Sequence, residues 1–365
     1  MRRGGNLRRL RPGRCGDGGG RLKNPSAALD IRRTARTISA VENRSPGADE
    51  IVRSAWRGAH FVPVIGVTGP PGAGKSTLID RLAVYWAERG ETVAVLAVDP
   101  SSPFTGGAVL GDRFRMERAA SHPRIFVRSL ASRGQLGGLS NTTTDIVTVL
   151  SDLGFHRILL ETVGAGQTDI SVGMVADAVI VVTVPGLGDH IQAAKAGILE
   201  IGDLYIVNKS DLPGAATVAG HLGANLDLVY PGPPGRNASR GVETPRSGNQ
   251  GQHRRHGDPA DALDFWRPPV LAVSARDGGG LADAADAVDG FLAWSRETGR
   301  YADRLSERLR FQILRATQER LVELCLSAAK QRDVELAPLT EQVASGALSP
   351  DEAAGQLIEQ LVRRG

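Results

Sequence analysis

Aromatic residues make up only 4% of the chain, and cysteines number two, Cys15 and Cys325. Two cysteines so far apart, one in a basic start and one in a helical pattern, give neither a disulfide framework nor a zinc-ligand spacing. That pattern fits a reducing compartment, and the expected localisation is cytoplasmic. No run approaches the roughly 18 apolar residues of a membrane helix, so no membrane partner is expected. Lysine is rare, and arginine carries most of the positive charge. The net charge of +4 and pI near 9.3 would suit nucleic acid, but the excess sits largely in the first 23 residues. There Arg2, Arg3, Arg8, Arg9, Arg11, Arg14, Arg21 and Lys23 face only Asp17. The remainder is close to neutral, so no nucleic-acid partner is expected. This arginine-rich start lacks the apolar core of a secretory signal, and it is too rich in Gly and poor in Ser for a transit helix.

What is present is an ordinary globular share of hydrophobic residues, 41% of 365, enough for one large α/β domain with extensions. Residues 1–25 read as a disordered basic tail. Residues 26–58 read as an N-terminal helical arm, with Leu29, Ile31, Ala35, Ile38 and Val41 at helical spacing. A repeated theme then runs through residues 59–295: a β-branched run ending in Gly, Asp, Pro or Asn, followed by a helical segment. The runs are 62–69, 92–99, 124–130, 157–163, 178–185, 204–208 and 270–274. Most are continuously apolar, as strands buried on both faces are, which predicts a mostly parallel sheet with helices on its faces. Ligands of such sheets sit beyond the carboxyl ends of the strands. Residues 230–258, crowded with Pro, Gly, Arg, Asn and Ser, read as a disordered insertion. Residues 296–365 read as a C-terminal helical region. It carries an apolar stripe of Leu305, Leu309, Ile313, Leu314, Leu321, Leu324 and Cys325, an interruption at Pro338, and an N-cap at Ser349 before Pro350, Asp351 and Glu352.

The chemistry begins with GPPGAGKST over residues 69–77, between a β-branched run and a helical one. Strand, G-x-x-x-x-G-K-S loop and helix is the order that a phosphate-binding loop requires. Gly69, Pro70, Pro71, Gly72, Ala73 and Gly74 would wrap the phosphates, the glycines letting backbone N–H groups turn inward with help from the helix amino terminus. Lys75 would reach the β- and γ-phosphates and the Ser76 hydroxyl would ligate Mg²⁺, with Thr77 beside it. Asn208, Lys209, Ser210 and Asp211 form N-K-x-D after an apolar run. A carboxylate at that Asp accepts from the guanine N1–H and N2 amine, a pair that adenine cannot supply, so GTP and GDP are the expected ligands. The backbone of Ser274 and Ala275 could complete the base pocket. Asp99 and Glu161 each end a strand-like run, where paired carboxylates would hold Mg²⁺ directly or through water. Gly164 and Gly166 follow Glu161 as a turn that a γ-phosphate could order. His253 and His256 lack Cys or carboxylate company and read as no metal site. The four tryptophans, Trp56, Trp86, Trp266 and Trp294, read as packing or interface residues.

These motifs sit inside longer text: GPPGAGKSTLID, VDPSSPFTGGAVLGDRFRM, RGQLGGLS, ETVGAGQTD, PGLGDHIQAAKAGILEIGD and NKSD. In them the chain resembles the methylmalonyl-CoA mutase-associated GTPases of the MeaB/ArgK type, closely over residues 38–214 and more loosely in the C-terminal helices. The resemblance implies a P-loop GTPase of the SIMIBI class that forms a homodimer, with 296–365 as its dimerisation region. It also implies docking on a B₁₂-dependent acyl-CoA mutase, gating adenosylcobalamin loading and guarding against inactivated cofactor. It places Asp99, Asp112 and Glu161 among the Mg²⁺ and switch carboxylates. Gln192 and Lys195 fall in a third switch that the mutase reorganises, where the lysine would put positive charge on the transition state. Read from chemistry alone, Lys195 is a solvated helix residue. Ala165, Thr168 and Asp169 stand where the family more often has Val, Ser and Glu. Two other readings stay open: a nickel-inserting GTPase, which would carry Cys and His ligands near its switches, and a scaffold that binds nucleotide without hydrolysis, which would have lost Lys75, Asp99 or Glu161. A transport-linked kinase is set aside, since nothing in the sequence suggests a transmembrane partner or a phosphoacceptor pocket.

Overall fold

In the computed structural model the β-branched runs become seven strands, set between helices. The structure describes residues 30–58, 62–99, 116–131, 141–162, 172–186, 198–230, 265–330 and 336–364. The strands are β1 Val64–Thr68, β2 Val93–Asp99, β3 Ile125–Ala131, β4 Arg157–Thr162, β5 Ala178–Thr183, β6 Leu204–Asn208 and β7 Val270–Val273. All pair in parallel, in the order β3-β2-β4-β1-β5-β6-β7, which places β1 at the centre. Successive side chains point to opposite faces of a strand, so each strand feeds two cores. Ile65 and Val67 of β1, with Val93 and Val95 of β2, enter one core; Val64, Ala94, Leu96 and Val98 enter the other.

The first core is closed by α3 Lys75–Glu88, α4 Glu117–Ser121 and α8 Leu281–Glu297. In α3 the apolar residues Leu78, Ile79, Leu82, Ala83 and Trp86 recur at helical spacing, and all are buried. The second core is closed by α1 Ile31–Glu42, α2 Ala48–Gly58, α5 Asn141–Asp152 and α7 Ala215–Val229. The N-terminal arm is therefore two helices laid over α5, with Ile38, Val41 and Ala55 buried. Trp86 is 1% exposed, while Trp266 and Trp294 stack with Phe291 at ring-centroid distances of 5.1 to 5.8 Å. Those three tryptophans are packing residues, as the sequence indicates.

A short α6 Ile198–Ile201 precedes β6, and three helices close the chain: α9 Arg300–Lys330, α10 Leu336–Ala344 and α11 Pro350–Arg364. The interruption expected at Pro338 falls ahead of it, since α9 ends at Lys330 and α10 begins at Leu336. Pro338 lies in the first turn of α10, where helix N–H groups have no intrahelical acceptor and proline costs little. The N-cap expected at Ser349 is present as a reciprocal capping box. Ser349 N donates to Glu352 Oε2 at 2.8 Å, and Glu352 N donates to Ser349 Oγ at 3.2 Å. The stripe on α9 divides: Leu305 and Leu309 are half-buried, whereas Ile313 and Leu314 are 66% and 70% exposed.

At its root α9 is clamped beneath the sheet. Arg304 grips both oxygens of Asp203 at 2.7 and 2.8 Å, and Arg308 donates to Asp177 Oδ1 at 2.9 Å and to the Val175 carbonyl at 2.7 Å. Asp177 and Asp203 also accept from Val64 N and Val179 N, each at 2.9 Å, at the amino ends of β1 and β5. Such buried pairs add little net stability, but losing one partner is expensive. The clamp sits at the rim opposite the strand carboxyl ends. The tail 1–25 and the insertion 230–258 expected from the sequence lie outside the described residues, apart from Tyr230.

Candidate functional site

The phosphate-loop segment leaves β1 at the centre of the carboxyl rim and is squeezed between its neighbours. Gly69 has φ 141° and Gly74 has φ 83°, conformations that L side chains rarely adopt. Neither position has room for a side chain. A Cβ on Gly69 would lie 2.1 Å from the Val182 carbonyl oxygen, and one on Gly74 would lie 2.4 Å from Asn208 Nδ2. Pro71, Gly72 and Thr77 are exposed, Pro70 is half-buried and Ala73 is buried. Gly74 is the N-cap of α3, so the loop ends on a helix amino terminus, which favours anionic ligands. Lys75 is 7% exposed, and its ammonium spans the loop, donating to the carbonyls of Gly69 at 2.7 Å and Pro70 at 3.2 Å.

Ser76 and Glu161 meet. The Ser76 hydroxyl donates to Glu161 Oε1 at 2.7 Å. Strand register explains the encounter, because Glu161 on β4 is paired with Val67, just ahead of the loop. Ala97 and Val98 of β2 pair with Glu161 and Thr162, so Asp99 ends its strand at the same rim. A hydroxyl and a carboxylate meeting beside a phosphate loop are hard oxygen donors of the kind that suit Mg²⁺. Asp112, Gln192 and Lys195 lie outside the described residues, as do Gly164 and Gly166.

On the other flank, β6 delivers Asn208 to the loop itself. Its side chain, 2% exposed, donates from Nδ2 to the Ala73 carbonyl at 2.8 Å and to that of Gly74 at 3.4 Å. Its Oδ1 accepts from Ala275 N at 3.1 Å, so one amide staples the phosphate loop to the loop after β7. Lys209 then takes φ 56°, a left-handed turn rare outside glycine, and Asp211 emerges exposed beyond it. Ser274 Oγ lies 2.9 Å from both Asp211 Oδ1 and Asp277 Oδ2, holding the Asp211 carboxylate in place. The structure thus brings Gly69 to Thr77, Glu161, Asn208, Asp211, Ser274 and Ala275 to one rim, with Asp99 ending its strand there.

Two functional contacts were not visible in the sequence. Asp80, on the phosphate-loop helix, accepts from Ala119 N at 2.8 Å and so ties α4 to α3. Burial pushes its carboxyl above the usual aspartate range, against the pull of the Ala119 N–H and the Arg118 charge. Arg81, next to it, donates through Nε to the Ala275 carbonyl at 3.0 Å and through Nη2 to that of Arg276. Nothing in a helical run such as LIDRL separates a clamping arginine from a solvated one.

A sequence model of the family described as methylmalonyl-CoA mutase-associated GTPase MeaB matches residues 34–330. A Pyrococcus abyssi protein named as a GTPase is 35% identical over 336 residues, 92% of this chain and 94% of its own length. The mouse protein named methylmalonic aciduria type A homolog, mitochondrial, is 32% identical over 301 residues, 82% of this chain and 66% of its own. A solved structure described as LAO/AO transport system kinase shares the fold, with a TM-score of 0.60 at 23% identity over 91% of this chain and 93% of that one. With the motifs at one rim of a parallel sheet, and a family match across most of its length, the chain belongs to the methylmalonyl-CoA mutase-associated GTPase family, MeaB, and is a P-loop GTPase.

Proposed function

We propose that this chain hydrolyses GTP with Mg²⁺ and couples that cycle to an adenosylcobalamin-dependent methylmalonyl-CoA mutase, or a related B₁₂-dependent acyl-CoA mutase, as its chaperone. The observation that carries the hydrolytic half is the Ser76–Glu161 contact beside the phosphate loop. Ser76 and Glu161 would hold Mg²⁺, together with Asp99 and Asp112. The ion, when bound, would offset negative charge shared by the β- and γ-phosphates. Lys75 exchanges its contacts with the loop carbonyls for phosphate oxygens, and the N–H groups of residues 72–77 line the same anion. Asn208 fixes the loop, Lys209 turns the chain, and Asp211 accepts from the guanine base. Gln192 and Lys195 complete the catalytic set from the third switch, where Lys195 would set its positive charge against the negative charge that develops on the phosphate oxygens.

The mutase half rests on the family's own description and on the name of the mouse relative. A homodimer is the third element of this reading. Ile313, Leu314, Leu321, Val322 and Leu324 of α9 are each close to half exposed or more, a run of apolar surface that suits a second copy.

The test is GTP turnover, measured alone and with a B₁₂-dependent methylmalonyl-CoA mutase. Slow turnover alone and faster turnover with the mutase is expected, and Lys195→Ala is expected to bind GTP but resist stimulation. Turnover that the mutase leaves unchanged would remove the coupling.

A further inference from the structure

Arg81 stands apart from the phosphate chemistry, yet it binds the loop that flanks the base. Its guanidinium takes two successive carbonyls, those of Ala275 and Arg276, from the helix that begins at the phosphate loop. A trans peptide is planar, so its C=O and the following N–H point in opposite directions. Anchoring the Ala275 carbonyl on α3 therefore turns the Arg276 N–H away from α3. Anchoring the Arg276 carbonyl does the same for the Asp277 N–H, which donates to Ser274 Oγ at 3.3 Å. That hydroxyl is the one that holds Asp211 Oδ1. From the other side, Asn208 Oδ1 takes the Ala275 N–H. Three successive peptide planes are thus fixed, two by an arginine on one flank and the first by an asparagine on the other.

We propose that Arg81 is a positioning residue for base selection: it aims the Arg276 N–H at the six-position carbonyl of guanine. The proposal rests on the reading of residues 208–211 and 274–275 as the guanine pocket. Arginine suits the task because its planar fork reaches two carbonyls at once, which a lysine ammonium on a flexible stem does not hold in one plane. The inference separates two parts of guanine recognition. Asp211 reads the N1–H and N2 edge, and the peptide set by Arg81 reads the oxygen.

The experiment compares GDP with 6-thio-GDP, in which sulfur, a weak acceptor, replaces that oxygen while the N1–H and N2 amine remain. Arg81→Ala is expected to weaken GDP by about tenfold and 6-thio-GDP by less than about twofold, the difference being one lost hydrogen bond to the oxygen. Arg81→Lys is expected to narrow the GDP preference as well, and it carries the test if the alanine variant does not fold. Equal losses for both nucleotides, or a wild-type ratio in either variant, overturns the proposal. Asp211→Asn is run alongside with xanthosine diphosphate. If it stays guanine-selective, the base-pocket reading itself fails. If it switches to xanthine while the Arg81 variants keep the wild-type ratio, Arg81 alone is struck out.

Discussion

Replacing Asn208 with alanine isolates the staple between the two halves of the site. Its side chain bonds Ala73 O at 2.8 Å, Gly74 O at 3.4 Å and Ala275 N at 3.1 Å, the second being weak by length. Truncation leaves the Ala73 carbonyl and the Ala275 N–H without their partner, and both residues are at most 2% exposed. Each orphaned group costs about 1–3 kcal/mol, and water entering from the rim recovers part of it, so a loss of about 2–3 kcal/mol is expected. Against a total stability of about 5–15 kcal/mol this is readily measured in urea, as a lower midpoint with an unchanged slope. GDP affinity, followed with a fluorescent analogue, should fall in parallel because the phosphate loop loses its brace. Asn208→Asp keeps the acceptor for Ala275 N but sets a carboxylate oxygen against the Ala73 carbonyl. It should therefore be worse than alanine at neutral pH and partly relieved in acid. A loss below about 0.5 kcal/mol for alanine, with aspartate no worse, would refute the reasoning, since buried groups left unpaired are what it counts.

Two further outcomes follow from the ion pairs and caps. Arg308→Met strands Asp177, 1% exposed, without its cation and should cost about 3–5 kcal/mol in urea unfolding. Adding Asp177→Asn should restore part of that loss, and full additivity of the two would count against the pair. The carboxylate of Glu352 is held below the usual glutamate range by the N–H and hydroxyl of Ser349. Its contribution is therefore fully present above the ordinary glutamate pKa and disappears as pH falls through the lowered one. Amide exchange in the first turn of α11 should accelerate in that acid window, and Glu352→Gln should abolish the pH dependence.

The strands were readable because a parallel sheet buried on both faces demands continuous β-branched runs, and all seven runs became strands within a residue or two of their expected ends. The phosphate loop and N-K-x-D were readable because phosphate and base recognition restrict both residue type and spacing. Pro338 was placed a few residues past the break it marks, because proline blocks a helix interior but is accepted in a first turn, and sequence alone does not say which turn a residue occupies. Arg81, Asp80 and the Arg304–Asp203 and Arg308–Asp177 pairs were invisible for a different reason. Each joins elements far apart in the chain, and a lone charged residue on a helix carries no mark of the partner it will find.

The arginines at the foot of α9 also decide what can be cut away. Arg304 and Arg308 are one helical turn apart, so a single short stretch supplies the counterions for acids under β5 and β6, one of which also tethers the first residue of β1. A shortened protein that stops before Arg300 would keep the phosphate loop and N-K-x-D yet strip two acids at the foot of the sheet of both their cations and their cover. The terminal helices are thus no removable appendage. They are the keel of the enzyme, and its hydrolytic half is not expected to survive without them.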